Sequence, residues 1–382
     1  MSVRPVPFNR PAFTGHERRY IEESLAHQHI SSDGPFTKRC AELLAKELKV
    51  PKVLLTTSCT DALEMTGLLL DLAPGDEVIM PSFTFVSTAN AYALRGARPV
   101  FVDIRADTWN LDERRVEAAI TPRTRAIVVV HYAGTPCAMD FLVALAKKHG
   151  LCLIEDNAHG LFGSYRQKPL GSFGAMSTLS FHETKNLSCG EGGALCLSDE
   201  RLVERAEILH AKGTNRSRFL RGQVDKYTWV DVGSSFGLSD LLAAVLWGQL
   251  EQRDDILSRR RAIFERYHSA LGTTAERVGW KFQTVDAADG PSFHMFAMLL
   301  RSMDERDALI RHLKAAAVSA VFHYVPLHTS PQGLALGYRE GLLPVTEDVS
   351  ARLVRLPFFT TLSNEEQARV IDAVIAFADA RA

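Results

Sequence analysis

Paired cysteines are missing from this chain. Its six cysteines (Cys40, Cys59, Cys137, Cys152, Cys189 and Cys196) are scattered, with no CxxC pair, which argues against a disulfide framework. Cys152 and Cys196 fall inside apolar runs, where the thiol behaves as a small hydrophobe. No apolar stretch approaches the ~18 residues that a membrane span requires. The start, Met1-Ser-Val-Arg-Pro-Val-Pro-Phe8, lacks the uninterrupted apolar core of a signal peptide. Net charge is nearly absent as well: 44 basic residues against 45 acidic ones leave −1, no footprint for nucleic acid or an anionic membrane. The longest basic run, Arg259-Arg-Arg261, reads as a solvated helix face. Internal repeats and low-complexity segments are also lacking. These absences predict a reduced, cytoplasmic protein that binds neither nucleic acid nor membrane. What the chain does have is 382 residues at 46% hydrophobic content, enough to bury one sizeable core or two.

From about residue 40 to 200, short apolar runs alternate with helical patterns. The runs at 52–55, 77–80, 99–104, 126–132, 151–155, 177–181 and 194–197 read as strands, and 59–72, 111–120 and 140–149 as helices. Continuous Val/Ile/Leu runs indicate strands covered on both faces. The βα alternation predicts an α/β fold with a mostly parallel, doubly wound sheet, whose ligands bind beyond the carboxyl ends of the strands. A long helix is expected from Ser239 to about Leu271. Strands at 293–300 and 320–323 and a closing helix at 364–377 then form a smaller α+β unit. The expected division is a large domain over 1–255, with an N-terminal arm, and a small domain over 256–382.

The chemistry gathers at the strand ends. Lys185 follows the β-prone run 177–181 and precedes Gly190-Glu-Gly-Gly193, a turn expected to be flexible and open. Asp156 closes the run 151–155. A lysine and an aspartate so placed suit pyridoxal phosphate (PLP): the amine forms a Schiff base and moves a proton, and the carboxylate holds the pyridinium proton. Glu155 competes with Asp156, but adjacent strand residues point opposite ways, so only one faces the cofactor. His159 either donates to the cofactor's phenolic oxygen or is a packed structural histidine. The cofactor's phosphate needs N–H groups and hydroxyls at a helix N-terminus, which Ser58, Cys59 (through its backbone) and Thr60 supply, with Ser180 as a further hydroxyl. Phe85, after the strand ending at Met80, either stacks on the pyridine ring or packs in the core. His323 and His328 lie five residues apart without the ligand set of a metal site.

The set Ser58-Cys-Thr60, Phe85, Glu155-Asp156, His159 and Ser180-x4-Lys185-x4-Gly190-Glu-Gly-Gly193 resembles the DegT/StrS family of PLP-dependent sugar aminotransferases. The resemblance implies an aspartate-aminotransferase-like fold (fold type I) with active sites at the interface of a homodimer. It also implies transfer of an amino group from L-glutamate to the 4-keto carbon of a TDP-6-deoxyhexose such as TDP-4-keto-6-deoxy-D-glucose. On that basis Lys185 is the Schiff-base lysine, Asp156 the partner of the ring nitrogen and His159 the phenolic-oxygen contact, with Ser180, Cys59 and Thr60 on the phosphate and Phe85 on the ring. Asn186, Arg216, Lys226, Tyr324 and His328 become substrate candidates. Many family members reach the phosphate across the interface with the asparagine of a Gly-x-Asn-x-Arg stretch. This chain has Gly233-Ser-Ser-Phe-Gly237 there, which puts Ser235 in the asparagine's place and drops the arginine. The alternatives are an aminotransferase for another keto sugar nucleotide, a PLP-dependent sugar dehydratase, and a non-catalytic protein of the same fold. The related dehydratases carry histidine at the lysine position, so Lys185 disfavours that reading.

Overall fold

A computed structural model describes residues 4–381 of the chain. The apolar runs form β1 (Lys52–Thr56), β2 (Glu77–Pro81), β3 (Arg98–Val102), β4 (Thr124–Val130) and β5 (Cys152–Asp156). A short hairpin of β6 (Ser164–Tyr165) and β7 (Lys168–Pro169) follows, then β8 (Met176–Ser180) and β9 (Gly193–Leu197). Seven of these strands make one sheet in the order β1-β9-β8-β5-β4-β2-β3. Its pairings from β8 through β3 are parallel, and β9 runs antiparallel to both of its neighbours. The α/β reading holds because these strands are buried on both faces: Ile127, Val128 and Val129 are all inaccessible, and burial of each contributes roughly 1.5–3 kcal/mol.

The C-terminal strands β10 (Lys281–Phe282), β11 (Ala297–Leu299), β12 (Val321–Phe322) and β13 (Leu353–Arg355) form an antiparallel sheet in the order β10-β11-β13-β12. Beside it a second core gathers Tyr267, Phe296, Met298, Val354, Val370 and Phe377, joined by Val6 from the N-terminal arm. The long helix expected from 239 is instead two, Asp240–Glu251 and Arg253–Val278, broken at Gln252, which leaves helical geometry. The composition changes at the same place. The first helix is Leu/Ala-rich and packs into the large-sheet core through Ala243, Ala244, Leu246 and Leu250. The second is highly charged and buries one face. β13, inside the small sheet, was not expected from the sequence, since three residues are too few to show a period. No described helix is long and apolar enough to cross a membrane.

Candidate active site

A cavity of about 480 Å³ opens at the carboxyl ends of the central parallel strands. Among its lining residues are Ser58, Cys59, Thr60, Phe85, Asp156, His159, Ser180, Lys185 and Tyr324. Residues more than a hundred positions apart are thus brought together, as the sheet topology requires.

Lys185 sits in a turn closed by two backbone bonds, Lys185 N–H to His182 O and Glu183 N–H to Gly190 O, both 2.9 Å. Burial lowers its pKa, partly opposed by Asp156 and Cys59, so the neutral amine is more available than on a surface lysine. The glycines here serve closeness rather than flexibility. Gly190 takes a left-handed φ of +90°. Gly193 lies so near the Ser58–Cys59 peptide that a Cβ would enter its van der Waals shell. Gly193→Ala should therefore push the strand away from that turn. The expected result is a cost of about 1–3 kcal/mol and weakened PLP affinity, read by thermal melting and PLP titration.

Asp156 and Glu155 are separated as the pleat demands. Glu155 is fully buried on the face away from the cavity, accepting from the N–H groups of Gly171 (2.7 Å), Phe173 (2.7 Å) and Gly174 (2.8 Å). It also meets His131 Nε2 at 3.0 Å. His131 Nδ1 accepts from the Cys137 N–H at 3.2 Å, so the ring proton resides on Nε2. Asp156 faces the cavity, where Thr88 Oγ1 donates to Oδ2 at 2.7 Å and the Ala158 N–H to Oδ1 at 3.3 Å. Burial raises its pKa, with Thr88 acting in the opposite direction.

Ser58 caps the helix Cys59–Leu69, its hydroxyl accepting from the Asp61 N–H at 3.1 Å. The first-turn N–H groups and the helix dipole create a site for an anion, and Thr60 Oγ1, 2.8 Å from Ser87 Oγ, lines it. Phe83 and Phe85 divide the two roles open to an aromatic here. Phe83 is 1% exposed and packs on Tyr132, whereas Phe85 is 58% exposed at the cavity wall. His159 stacks on His294 with ring centroids 4.2 Å apart. Burial holds both imidazoles well below their ordinary pKa, and His159 Nδ1 is buried without a partner.

Four candidate substrate residues, and Ser235, do not line this cavity. His328 is fully buried between Ser82 Oγ and Glu347 Oε1, each at 2.8 Å, so it braces the loop after β12 and does not face the cavity. Asn186 is buried too. Its amide donates to Ser292 O at 2.8 Å, and its Oδ1 meets His294 Nδ1 at 3.0 Å, so it orients His294. Arg216 pairs with Asp33. Lys226 is exposed, and its backbone carbonyl accepts from the Asn215 side chain. Ser235 is exposed, on a segment that bridges to Ala211. His323 does line the cavity, with Nδ1 3.0 Å from Tyr132 OH. The sequence reading missed His294, Thr88, Arg355 and the arm residues Phe8 and Asn9, all of which line the cavity. Only Arg355, a cation inside the apolar run Leu353-Val-Arg-Leu356, carried a local signal.

The donors fit PLP: one amine, one buried carboxylate with lone pairs to spare, an anion site at a helix start, and an unpartnered imidazole nitrogen in the same cavity. The family profile of DegT/DnrJ/EryC1/StrS aminotransferases matches residues 11–375. The chain is 33% identical over 379 residues to GDP-perosamine synthase of Escherichia coli O157:H7, covering 98% of this chain and 99% of that protein. It is 32% identical over 380 residues to the spore coat polysaccharide biosynthesis protein SpsC of Bacillus subtilis (strain 168), covering 97% and 96%. Among solved structures, Spr1654 from Streptococcus pneumoniae in its PLP form superposes with a TM-score of 0.91 at 28% identity, over 98% of this chain and 99% of that one. The chain belongs to the DegT/DnrJ/EryC1/StrS aminotransferase family and is a PLP-dependent sugar aminotransferase.

Proposed function

We propose that this enzyme moves an amino group from L-glutamate to the 4-keto carbon of TDP-4-keto-6-deoxy-D-glucose, giving TDP-4-amino-4,6-dideoxy-D-galactose and 2-oxoglutarate. The observation behind transamination is the convergence of the Lys185 amine and the Asp156 carboxylate on one cavity beside the helix start at Ser58–Thr60. The choice of sugar rests on likeness to the TDP-4-oxo-6-deoxy-D-glucose aminotransferase of enterobacterial common antigen synthesis. That likeness runs through Val53-Leu-Leu-Thr-Thr-Ser-Cys-Thr60, Asp76–Asn90, Ser180–Asn186, Lys212-Gly-Thr-Asn-Arg-Ser217, Arg221–Trp229 and Val321-Phe-His-Tyr-Val-Pro-Leu-His328. A cytoplasmic site of action accompanies the reading, in keeping with the six free cysteines.

PLP, when bound, supplies the electron sink for the carbanion. This chain's residues do the rest. Lys185 Nζ takes the proton from the donor's α-carbon and returns one to the acceptor side, helped by the burial that lowers its pKa. Asp156 holds a proton at the ring nitrogen, and Thr88 keeps its carboxylate aimed. Thr60 and the N–H groups of the first helical turn bind the phosphate, and Phe85 covers the ring face. His159 contributes a neutral imidazole, its stacking on His294 fixing the ring plane.

The working unit in this proposal is a homodimer. Leu220, Tyr227, Trp229 and Val232 are exposed on the same segment as Lys226 and Ser235, and clustered exposed apolar residues mark an interface. Arg216, Lys226 and Ser235 then serve the cavity of the partner subunit rather than their own.

A second reading, a GDP-linked sugar, is favoured by the likeness to GDP-perosamine synthase of Escherichia coli O157:H7. Mass spectrometry of products from glutamate with TDP-, GDP- and UDP-linked 4-keto-6-deoxyhexoses separates them. The expected result is a one-amine exchange with the TDP substrate, and exchange confined to the GDP compound would overturn the assignment.

A further inference from the structure

One histidine of the cavity wall is held at every polar atom but one. His294 lines the cavity and is otherwise buried. Arg260, buried on the helix Arg253–Val278, donates from Nε to Phe293 O at 3.1 Å and from Nη2 to His294 O at 2.6 Å. The His294 N–H donates to Ala133 O at 3.3 Å. Phe293, just before it, takes a left-handed φ of +52°, a conformation that a residue with a Cβ keeps only where its surroundings impose it. The imidazole stacks on His159 with the two planes 17° apart. Its Nδ1 lies 3.0 Å from Asn186 Oδ1, and that amide is oriented by its own donation to Ser292 O at 2.8 Å. An amide oxygen only accepts, so the ring proton sits on Nδ1. Burial keeps the ring from taking a second proton. Nε2 is therefore a bare lone pair, and no described residue donates to it. His323 differs, since its Nδ1 meets Tyr132 OH, a hydroxyl that can either donate or accept.

A bare lone pair selects its partner by chemistry: it takes a hydrogen-bond donor and repels an acceptor. That excludes the cofactor's phosphate and phenolic oxygen, and both carboxylates of glutamate. Two kinds of donor enter under the keto-sugar reading, on which the inference rests. The glutamate amine is one, but it is consumed in bonding to the cofactor. The sugar hydroxyls are the other, and position narrows them. Asn186, the neighbour of Lys185 in the chain, holds the imidazole directly, and the charge of Lys185 is felt at His294. The lone pair thus lies toward the reacting carbon and not toward the nucleotide joined at C1. Of the two carbons beside C4 in a 4-keto-6-deoxyhexose, C5 carries a methyl group and the ring oxygen, and C3 carries a hydroxyl. We propose that His294 Nε2 accepts a hydrogen bond from the hydroxyl beside the keto carbon, with Asn186 as the positioning residue that keeps this nitrogen unprotonated. The contact is indifferent to the nucleotide. It recognises the sugar at the carbon next to the one that receives the amine.

The test measures the two halves of the cycle separately on PLP-loaded enzyme. The glutamate half follows loss of the lysine-linked cofactor absorbance with L-glutamate. The sugar half follows its return when the aminated enzyme meets TDP-4-keto-6-deoxy-D-glucose, a GDP-linked 4-keto-6-deoxyhexose, or the 3-deoxy analogue of whichever reacts. Wild type should prefer the hydroxylated sugar by on the order of 10²-fold or more in kcat/KM, as sites built around a substrate hydroxyl do. His294→Phe keeps a flat ring against His159 and removes the lone pair. It should lower kcat/KM for the hydroxylated sugar on the order of 10–10²-fold, roughly tenfold more than its loss in the glutamate half. Its preference over the 3-deoxy analogue should collapse to a few-fold, a comparison in which the intrinsic reactivities of the two ketones cancel. His294→Gln offers an amide oxygen and should keep part of the preference. Asn186→Leu frees the ring proton to sit on either nitrogen and should lose part of the preference with His294 in place; it also covers the case in which His294→Phe does not fold. No preference in wild type, an unchanged preference in His294→Phe or in Asn186→Leu, or equal losses in the two halves would overturn the assignment. Turnover confined to the GDP-linked sugar, with the preference behaving as expected, refutes the TDP reading alone and supports the hydroxyl contact. A wild type that aminates no keto sugar nucleotide overturns both.

Discussion

Replacing Lys185 with alanine should lower transamination by about 10⁴-fold or more, the upper end of what one positioned acid–base group supplies. Lys185 is the only amine among the cavity's lining side chains, and the imidazoles near it are held neutral by burial. Neither the covalent link to PLP nor the proton transfer has a substitute. The alanine variant should still bind PLP, because the helix start at Ser58–Thr60 and Asp156 remain. The absorbance of the lysine-linked cofactor should vanish, and borohydride should trap nothing at position 185. Small primary amines added to the solution should restore a fraction of the turnover. Wild-type rates in Lys185→Ala would remove its assigned role and, with it, the meaning of the cavity.

Asp156→Asn should lower kcat on the order of 10³-fold, comparable to removing a preorganised group that faces developing charge. Asparagine keeps the shape and can still accept from Thr88, but it cannot hold a proton on the ring nitrogen. The same substitution has a second readout, in the protein without cofactor. There burial raises the Asp156 pKa, with the hydrogen bonds from Thr88 and the Ala158 N–H acting against it. The folded chain therefore keeps its proton after the unfolded carboxyl, which titrates near ~4, has lost its own. Across the interval between those two values, stability of the cofactor-free protein falls as pH rises. Asp156→Asn should flatten that dependence. Thermal melts of the cofactor-free protein from acid to neutral pH check it, and a slope identical to wild type would show that Asp156 does not carry the effect.

Much of the architecture was legible because the signals are local. A run such as Ala126–Val130 needs only its own residues to announce a strand buried on both faces, and Lys185 and Asp156 were visible as charged residues just past the ends of such runs. That only one of Glu155 and Asp156 could face the cofactor followed from the pleat, and the structure turns Asp156 to the cavity. What took up the other carboxylate was not visible: the N–H groups of Gly171, Phe173 and Gly174 come from a loop sixteen to nineteen residues away. The helix break at Gln252 escaped as well, because the helical period runs through it and only the change of packing partner separates the two segments.

The remaining differences are matters of long-range contact. His328 and Asn186 are polar residues in suggestive stretches, and each is turned away from the cavity by partners far along the chain: Ser82 and Glu347 for one, Ser292 and His294 for the other. Arg355, whose one signal was a cation in an apolar run, and His294, inconspicuous in the sequence, run the opposite way: both line the cavity, Arg355 from the end of β13. The glycines after Lys185 show both levels in one motif. The sequence alone determined that a lysine would stand in a turn with little side-chain bulk beside it. Tertiary structure decided what the absent bulk is for: Gly193 must lie against the Ser58–Cys59 peptide, bringing the strand beside the lysine turn to the helix start proposed to hold the phosphate. Local pattern specifies which elements form, because that depends on neighbours within a few residues. Which side chains meet depends on how the elements stack, and no window of the sequence contains both partners.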